Sequence, residues 1–453
     1  MKFYIILSMF LLLLSCQNVE HKTTNGSVQT KEYSISYSKI DCKAGELINN
    51  INAQSNAGVT YALYCPKDFS QQLLPVIYFF DPHADGVLPL EKYKSIADEF
   101  NVFLVGCNSS KNGMSINESL NHAIAMKADC ENRLPLNTQL QIIAGFSGGS
   151  KVACATAMQS KSLSGLIACS GALYEKDAFD KAQTVVSIAG INDFNYHEMV
   201  AFNQAVEVDK HIMLTTDSAH QWPTAEVMQN ALMYIVLGKL QLMQKPYEKE
   251  FINKKYEQWQ SQLKGIEKSG DMNKLEEELL LGISCFEGKE PIEKWKGRLD
   301  LLKQSDAYRK WQVRQQNLIY QEKEMQKMLR DAFANEDINW WKKELNDLHT
   351  ASHSKDNMVA AMSHRLLGFI GIAAYSFSKQ LVAENAKEAE KALEVYRLVE
   401  PDNTEAWFLS AGFWANQNKN DLAAQAFQQA RLKGFNELDR LNEFPALQKL
   451  IAP

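Results

Sequence analysis

Between Val59 and Gly238 the chain repeatedly exchanges one periodicity for another. Short apolar, β-branched runs occur at Val59–Cys65, Val76–Phe80, Val102–Cys107, Leu140–Ala144, Leu163–Cys169, Val185–Ala189 and Ile212–Thr216. Amphipathic stretches lie between them at Leu90–Phe100, Ile116–Cys130, Ser150–Gln159 and Pro223–Leu237. Near-continuous apolar strands are buried on both faces, and the intervening helices supply the cover. The pattern predicts an α/β fold, a mostly parallel sheet flanked by helices.

After Gly238 the strand signals stop. The stretch from Lys239 to about Lys343 is charged, rich in Gln, Glu, Lys and Trp, and helical in pattern. The last hundred or so residues are helical too, and Ala389, Leu393 and Tyr396 recur thirty-four positions later as Ala423, Phe427 and Ala430. Trp407, Ala411 and Trp414 fill the first helix of the second unit, and Pro401 ends the unit before it. This spacing resembles the tetratricopeptide repeat, two antiparallel helices per unit, over about one and a half units from Ala386 to Gly434. A plain helical bundle with coincident small and aromatic residues is the competing reading.

The N-terminus has its own logic. Met1-Lys2 is followed by an apolar run from Phe3 to Leu14 and then Ser15-Cys16. A basic start, a short apolar core and a small residue before the break describe a secretory signal, and the run is too short for a spanning helix of about 20 residues. Leu13-Leu14-Ser15-Cys16 resembles the lipobox of bacterial lipoproteins, which implies lipidation at Cys16 and attachment to a membrane of the cell envelope. Gln17 is not the aspartate that resembles an inner-membrane retention signal, so the outer membrane is favoured. The expected layout is a signal peptide at 1–15, a polar tether at 16–35, a sheet domain at 36–240, a helical linker region at 241–350 and a helical, tetratricopeptide-like domain at 351–453.

The net charge is −6 with no basic stripe, which argues against a nucleic-acid partner. Beyond Cys16, the cysteines are Cys42, Cys65, Cys107, Cys130, Cys154, Cys169 and Cys285, with no CxxC pair. A cysteine-based zinc or redox site is therefore not expected. Cys107, Cys154 and Cys169 sit in apolar runs and read as buried thiols.

One turn carries chemistry. The strand ending at Ala144 runs into Gly145-Phe146-Ser147-Gly148-Gly149, which then opens a helical pattern. A phosphate-binding P-loop would need GxxxxGK[ST], which is absent here. The pentapeptide matches G-x-S-x-G, in which a serine sits on a strained strand-to-helix turn between small residues. The backbone N–H of Gly148 would then face a developing oxyanion.

A serine hydroxyl needs a base, and the base needs an orienting acid. Asp193 follows the strand Val185–Ala189, and His220 follows the strand Ile212–Thr216, in the chain order Ser, Asp, His of α/β-hydrolases. His197, four residues after Asp193, reads as a surface residue on the next helix, and His211 begins a strand. Asp217 is an alternative acid or a loop-shaping residue. The string His220-Gln221-Trp222-Pro223 resembles the end of esterase D-like and polyhydroxybutyrate-depolymerase-like hydrolases, a resemblance spanning about Val59 to Gly238. That resemblance implies a second oxyanion donor after the strand Val76–Phe80. Relatives often carry His-Gly there; here Asp81-Pro82 takes that place, leaving the N–H of His83, since Pro82 has none. Asp81, His83 and Asp85 also suggest a metal cluster, but no supporting ligand set accompanies them. Cys107–Gly113 would reach the same face of the sheet.

Together these residues suggest a lipid-anchored serine hydrolase acting on a small-molecule ester or acyl substrate, with no cofactor and no metal. The helical region would serve a protein partner. The competing class is a catalytically silent hydrolase fold acting as an envelope scaffold.

Overall fold

The structure, a computed structural model, describes residues 38–242 and 249–451. The signal peptide, Cys16 and the whole of the expected tether lie outside these residues. Eight strands form one sheet: β1 (Leu47–Asn52), β2 (Thr60–Tyr64), β3 (Leu74–Phe80), β4 (Phe103–Cys107), β5 (Leu136–Phe146), β6 (Gly165–Cys169), β7 (Thr184–Gly190) and β8 (Lys210–Thr216). Their order is β1-β2-β4-β3-β5-β6-β7-β8. The first two strands are antiparallel to their neighbours, and β4 through β8 run parallel.

Five helices belong to this part of the chain: α1 (Val87–Phe100), α2 (Ile116–Arg133), α3 (Gly148–Gln159), α4 (Tyr196–Ala205) and α5 (Ala225–Gly238). Successive strand residues point to opposite faces, so one strand feeds two cores. Ile77, Phe79, Ile142, Ala144 and Ile167 pack on one face with α1 and α5. Val76, Tyr78, Phe80, Ile143 and Leu166 pack on the other with α2, α3 and α4. This is the α/β-hydrolase arrangement, and an all-helical region follows it.

That region comprises α6 (Lys249–Ser269), α7 (Met272–Phe286), α8 (Glu293–Gln304), α9 (Asp306–Asn335), α10 (Ile338–Ser352), α11 (Asn357–Ala383), α12 (Ala389–Val399), α13 (Thr404–Asn416), α14 (Asn420–Leu432) and α15 (Pro445–Ile451). It divides between two cores. Trp259, Leu263, Leu279, Phe286 and Trp295, on α6 to α8, join the sheet core on the side of α5. The segment expected to be a linker is thus partly an extension of the sheet domain. Leu329, Trp341, Leu366, Leu393, Phe408 and Ala423, from α9 to α14, form a separate core. Ala411 and Trp414 of α13 are buried in it, while Trp407 and Phe427 pack at its margin. Helix α11 is long and apolar enough to cross a membrane by length and composition alone; its Leu366, Ile370 and Ala374 are fully buried among the other helices.

Candidate active site

Ser147 stands between β5 and α3 with φ +53° and ψ −121°. Few side chains adopt such a backbone, and it persists only where its surroundings over-determine it. The flanking glycines show how. A Cβ at Gly145 would lie 2.3 Å from the Gly149 carbonyl oxygen, and one at Gly149 would lie 2.0 Å from the Phe80 carbonyl oxygen. Only hydrogen fits at either place, so the strand, turn and helix can close on one another. The first N–H groups of α3 have no partner within their own helix, and they gather beside the serine with the positive end of the helix dipole.

The structure brings Ser147, His220 and Asp193 into one hydrogen-bonded line. His220 Nε2 lies 2.9 Å from Ser147 Oγ, and its Nδ1 lies 3.0 Å from both Asp193 carboxylate oxygens. The Asp193 carboxylate is fully buried and also accepts the Asn195 N–H at 2.8 Å. A buried carboxyl acceptor at Nδ1 favours the tautomer that carries its proton there, leaving Nε2 to accept from the serine hydroxyl. The imidazole lies between two aromatic rings, Phe146 at 4.7 Å and Phe194 at 4.4 Å between centroids. Those contacts limit its rotation and its access to water.

The loops that carry the histidine and the acid both rest on helices that follow α5. On α7, Glu277 Oε2 accepts from the Thr215 N–H at 2.9 Å and from its hydroxyl at 2.6 Å, at the end of β8. Asp217 is exposed on this loop, and its backbone oxygen accepts from Asn192 Nδ2 at 2.9 Å. His197 differs from its expected surface role. Its Nε2 lies 2.9 Å from Glu322 on α9, a carboxylate with no solvent exposure.

The loop after β3 meets the loop after β4. His83 and Lys111 form an isolated antiparallel bridge, and the Asn112 N–H donates to the Pro82 oxygen at 2.8 Å. The His83 N–H donates to Asp81 Oδ1 at 2.8 Å, so it has a partner in this state. Asp81 Oδ2 accepts from Trp222 Nε1 at 2.8 Å, which leaves that carboxylate committed on both oxygens. Among the described residues, no group of three or more His, Cys, Asp or Glu is placed to hold a metal ion. A cavity of about 170 Å³ opens beside Gly148, bordered by Pro82, Asn112, Met114, Lys151 and Val152. Ser110 and Gly113, from the polar stretch after β4, also line it.

No family model matches the chain, and no curated protein does. Among solved structures it is similar to an arylesterase at 10% identity, over 42% of this chain and 83% of that one, with a TM-score of 0.33. A fungal esterase of Rhizomucor miehei gives 13%, 42%, 83% and 0.33 for the same four measures. Est1E of Butyrivibrio proteoclasticus gives 14%, 41%, 96% and 0.33.

Proposed function

We propose that the chain is a serine hydrolase whose substrates are small carboxylic esters. The observation that supports this reading above all others is the unbroken line from buried Asp193 through His220 to Ser147 at the strained turn. His220 takes the hydroxyl proton as Ser147 Oγ bonds to the ester carbonyl carbon, and the carbonyl oxygen becomes an oxyanion. The Gly148 N–H receives it; the His83 N–H, expected as a second donor, is held by Asp81 Oδ1. Each such donor is worth about 3–4 kcal/mol of barrier. The protonated imidazole then gives its proton to the departing alkoxide, and the carbon–oxygen bond breaks to leave an acyl-serine. Water, deprotonated by His220, attacks that acyl group, and the acid product departs as Ser147 regains its proton.

A fluorophosphonate probe tests this reading, because it bonds to activated serine hydroxyls and not to inert ones. The folded protein should label at Ser147. Labelling should vanish in Ser147→Ala and fall sharply in His220→Ala, with hydrolysis of short aryl esters following the same order. A folded wild-type protein that neither labels nor hydrolyses would favour the scaffold reading.

The proposed place of action is the bacterial envelope, through acylation of Cys16. Wild-type protein should partition with membranes and Cys16→Ala should not; a soluble, unacylated wild type would refute anchoring. The tetratricopeptide-like helices would then present the enzyme to a protein partner there.

A further inference from the structure

The segment from Ile191 to His197 carries the acid of the proposed triad, and it is held from outside the sheet domain at four points. Arg365 of α11 donates from Nη1 to the Ile191 carbonyl oxygen at 2.6 Å. The same guanidinium grips Glu322 of α9, from Nε at 3.0 Å and from Nη2 at 2.6 Å. Glu322 in turn pairs with His197 Nε2 at 2.9 Å. The Arg365 guanidinium also lies 5.2 Å from the centre of the Tyr196 ring. Finally, the Phe194 ring that lies against His220 occupies the space at Gly368, where a Cβ would come within 3.1 Å of it.

Arg365 and Glu322 are 7% and 0% exposed. A buried ion pair of this kind adds little net stability, because desolvation offsets the attraction, and apolar residues of similar volume often serve as well. Its distinguishing property is direction. The planar, five-donor fork fixes angles that a packed methyl group leaves free. Here the donor not spent on Glu322 is aimed at the backbone two residues before Asp193. Because a misplacement of about 1 Å can reduce turnover by about 10²-fold, the aim of this donor bears on the chemistry.

We infer that Arg365, fixed by Glu322, is a positioning residue for Asp193 and His220, so that the helical region is a working part of the active site. This rests on the reading of Ser147, His220 and Asp193 as a triad. Two variants of the full chain test it. Arg365→Lys keeps the charge beside Glu322 but loses the fork. Arg365→Met combined with Glu322→Gln removes both charges together, leaves no unpaired buried ion and keeps a side-chain partner for His197. Three quantities are measured: kcat and KM for a short aryl ester, the melting temperature, and the far-downfield proton resonance of the hydrogen bond between His220 Nδ1 and Asp193.

The double variant should melt near the wild type, lose about 10- to 100-fold in kcat with KM nearly unchanged, and lose or broaden the downfield resonance. Arg365→Lys should fall between it and the wild type in both kcat and resonance. Wild-type kcat and resonance in both variants would overturn the inference. So would a kcat loss that follows the melting temperature while the resonance stays sharp. If the wild type itself shows no hydrolysis or labelling, the proposed function fails, and the resonance alone decides. Its loss in the variants still supports positioning, and its persistence refutes it.

Discussion

Trp222 donates its indole N–H to Asp81 Oδ2 at 2.8 Å, joining the loop after β3 to the loop that presents His220. Asp81 is 2% exposed, and its other oxygen accepts the His83 N–H. Two donors thus converge on one buried carboxylate. In Asp81→Asn the amide can satisfy only one of them and turns its own N–H₂ towards the other. The variant should lose about 1–3 kcal/mol of stability by denaturant titration. Trp222→Phe removes the donor, leaves Asp81 Oδ2 unpaired and replaces the larger ring packed near Phe79 and Phe146, so it should lose at least as much. Equal stability of Asp81→Asn and wild type would contradict the link.

Asp193→Asn should lower kcat on the order of 10⁴-fold with folding intact, because the amide favours the tautomer that cannot accept from Ser147. Asp217 is exposed and touches Asn192 through its backbone oxygen, so Asp217→Asn should leave kcat unchanged. Steady-state rates on one aryl ester compare the two. A larger loss in Asp217→Asn than in Asp193→Asn would exchange their assignments.

The cavity beside Gly148, about 170 Å³, is small against the usual 300–1,000 Å³ of ligand pockets. Short acyl groups should therefore be preferred. Across p-nitrophenyl esters from acetate to decanoate, kcat/KM should fall by about tenfold or more, roughly 1.4 kcal/mol of barrier. A rate that rises steadily with chain length would place the acyl group elsewhere.

The hydrogen-bonded line of Ser147, His220 and Asp193 was legible because each residue follows an apolar strand, and the carboxyl ends of parallel strands converge on one edge of the sheet. Other parts left no such trace. Strand β1, Leu-Ile-Asn-Asn-Ile-Asn, is a polar edge strand whose exposed asparagines mask its pairing with β2. The first residues of β5 are hidden in the same way by Asn137, Thr138 and Gln139. Trp259 and Trp295 sit among so many Lys, Glu and Gln residues that composition marks α6 to α8 as solvated, yet both indoles are buried. The pairing of His197 with Glu322 spans 125 positions, and neither residue's neighbours announce it. Charged residues usually face water, so a buried ion pair reads as surface until the fold closes on it.

Phe408 is fully buried, stacks on Phe435 at 4.4 Å and meets Phe444 edge-on at 5.3 Å. Phe427, one of the residues that carries the repeat resemblance, is only partly buried and lies at the margin of the same core. Phe408→Ala should therefore cost about 3–5 kcal/mol by opening a cavity that its neighbours cannot fill. Phe427→Asp should be milder, since its carboxylate has a route to water. Thermal melting of both variants checks the order, and the reverse order would relocate the centre of the helical core.

Glu278 of α7 gives the fold a pH dependence of definite sign. It is 3% exposed, its Oε2 has no hydrogen-bond partner, and Lys274 approaches its other oxygen only to 3.9 Å. Burial pushes its carboxyl up to about 7, an effect that the nearby Lys274 ammonium partly offsets. A glutamate in the unfolded chain titrates near 4.3. Below that pH both states hold the proton, and the group's contribution is fully present. Between roughly pH 4.3 and 7 the unfolded chain releases the proton while the native state keeps it, so stability from this group is lost as pH rises. In Glu278→Gln nothing titrates at the site. The variant should match or fall slightly below the wild type near pH 4.5 and exceed it at pH 8 by roughly 2–3 kcal/mol. Denaturant melts of the two proteins at both pH values check the crossing, and a difference that stays constant with pH would show that Glu278 is ionised in the native state throughout.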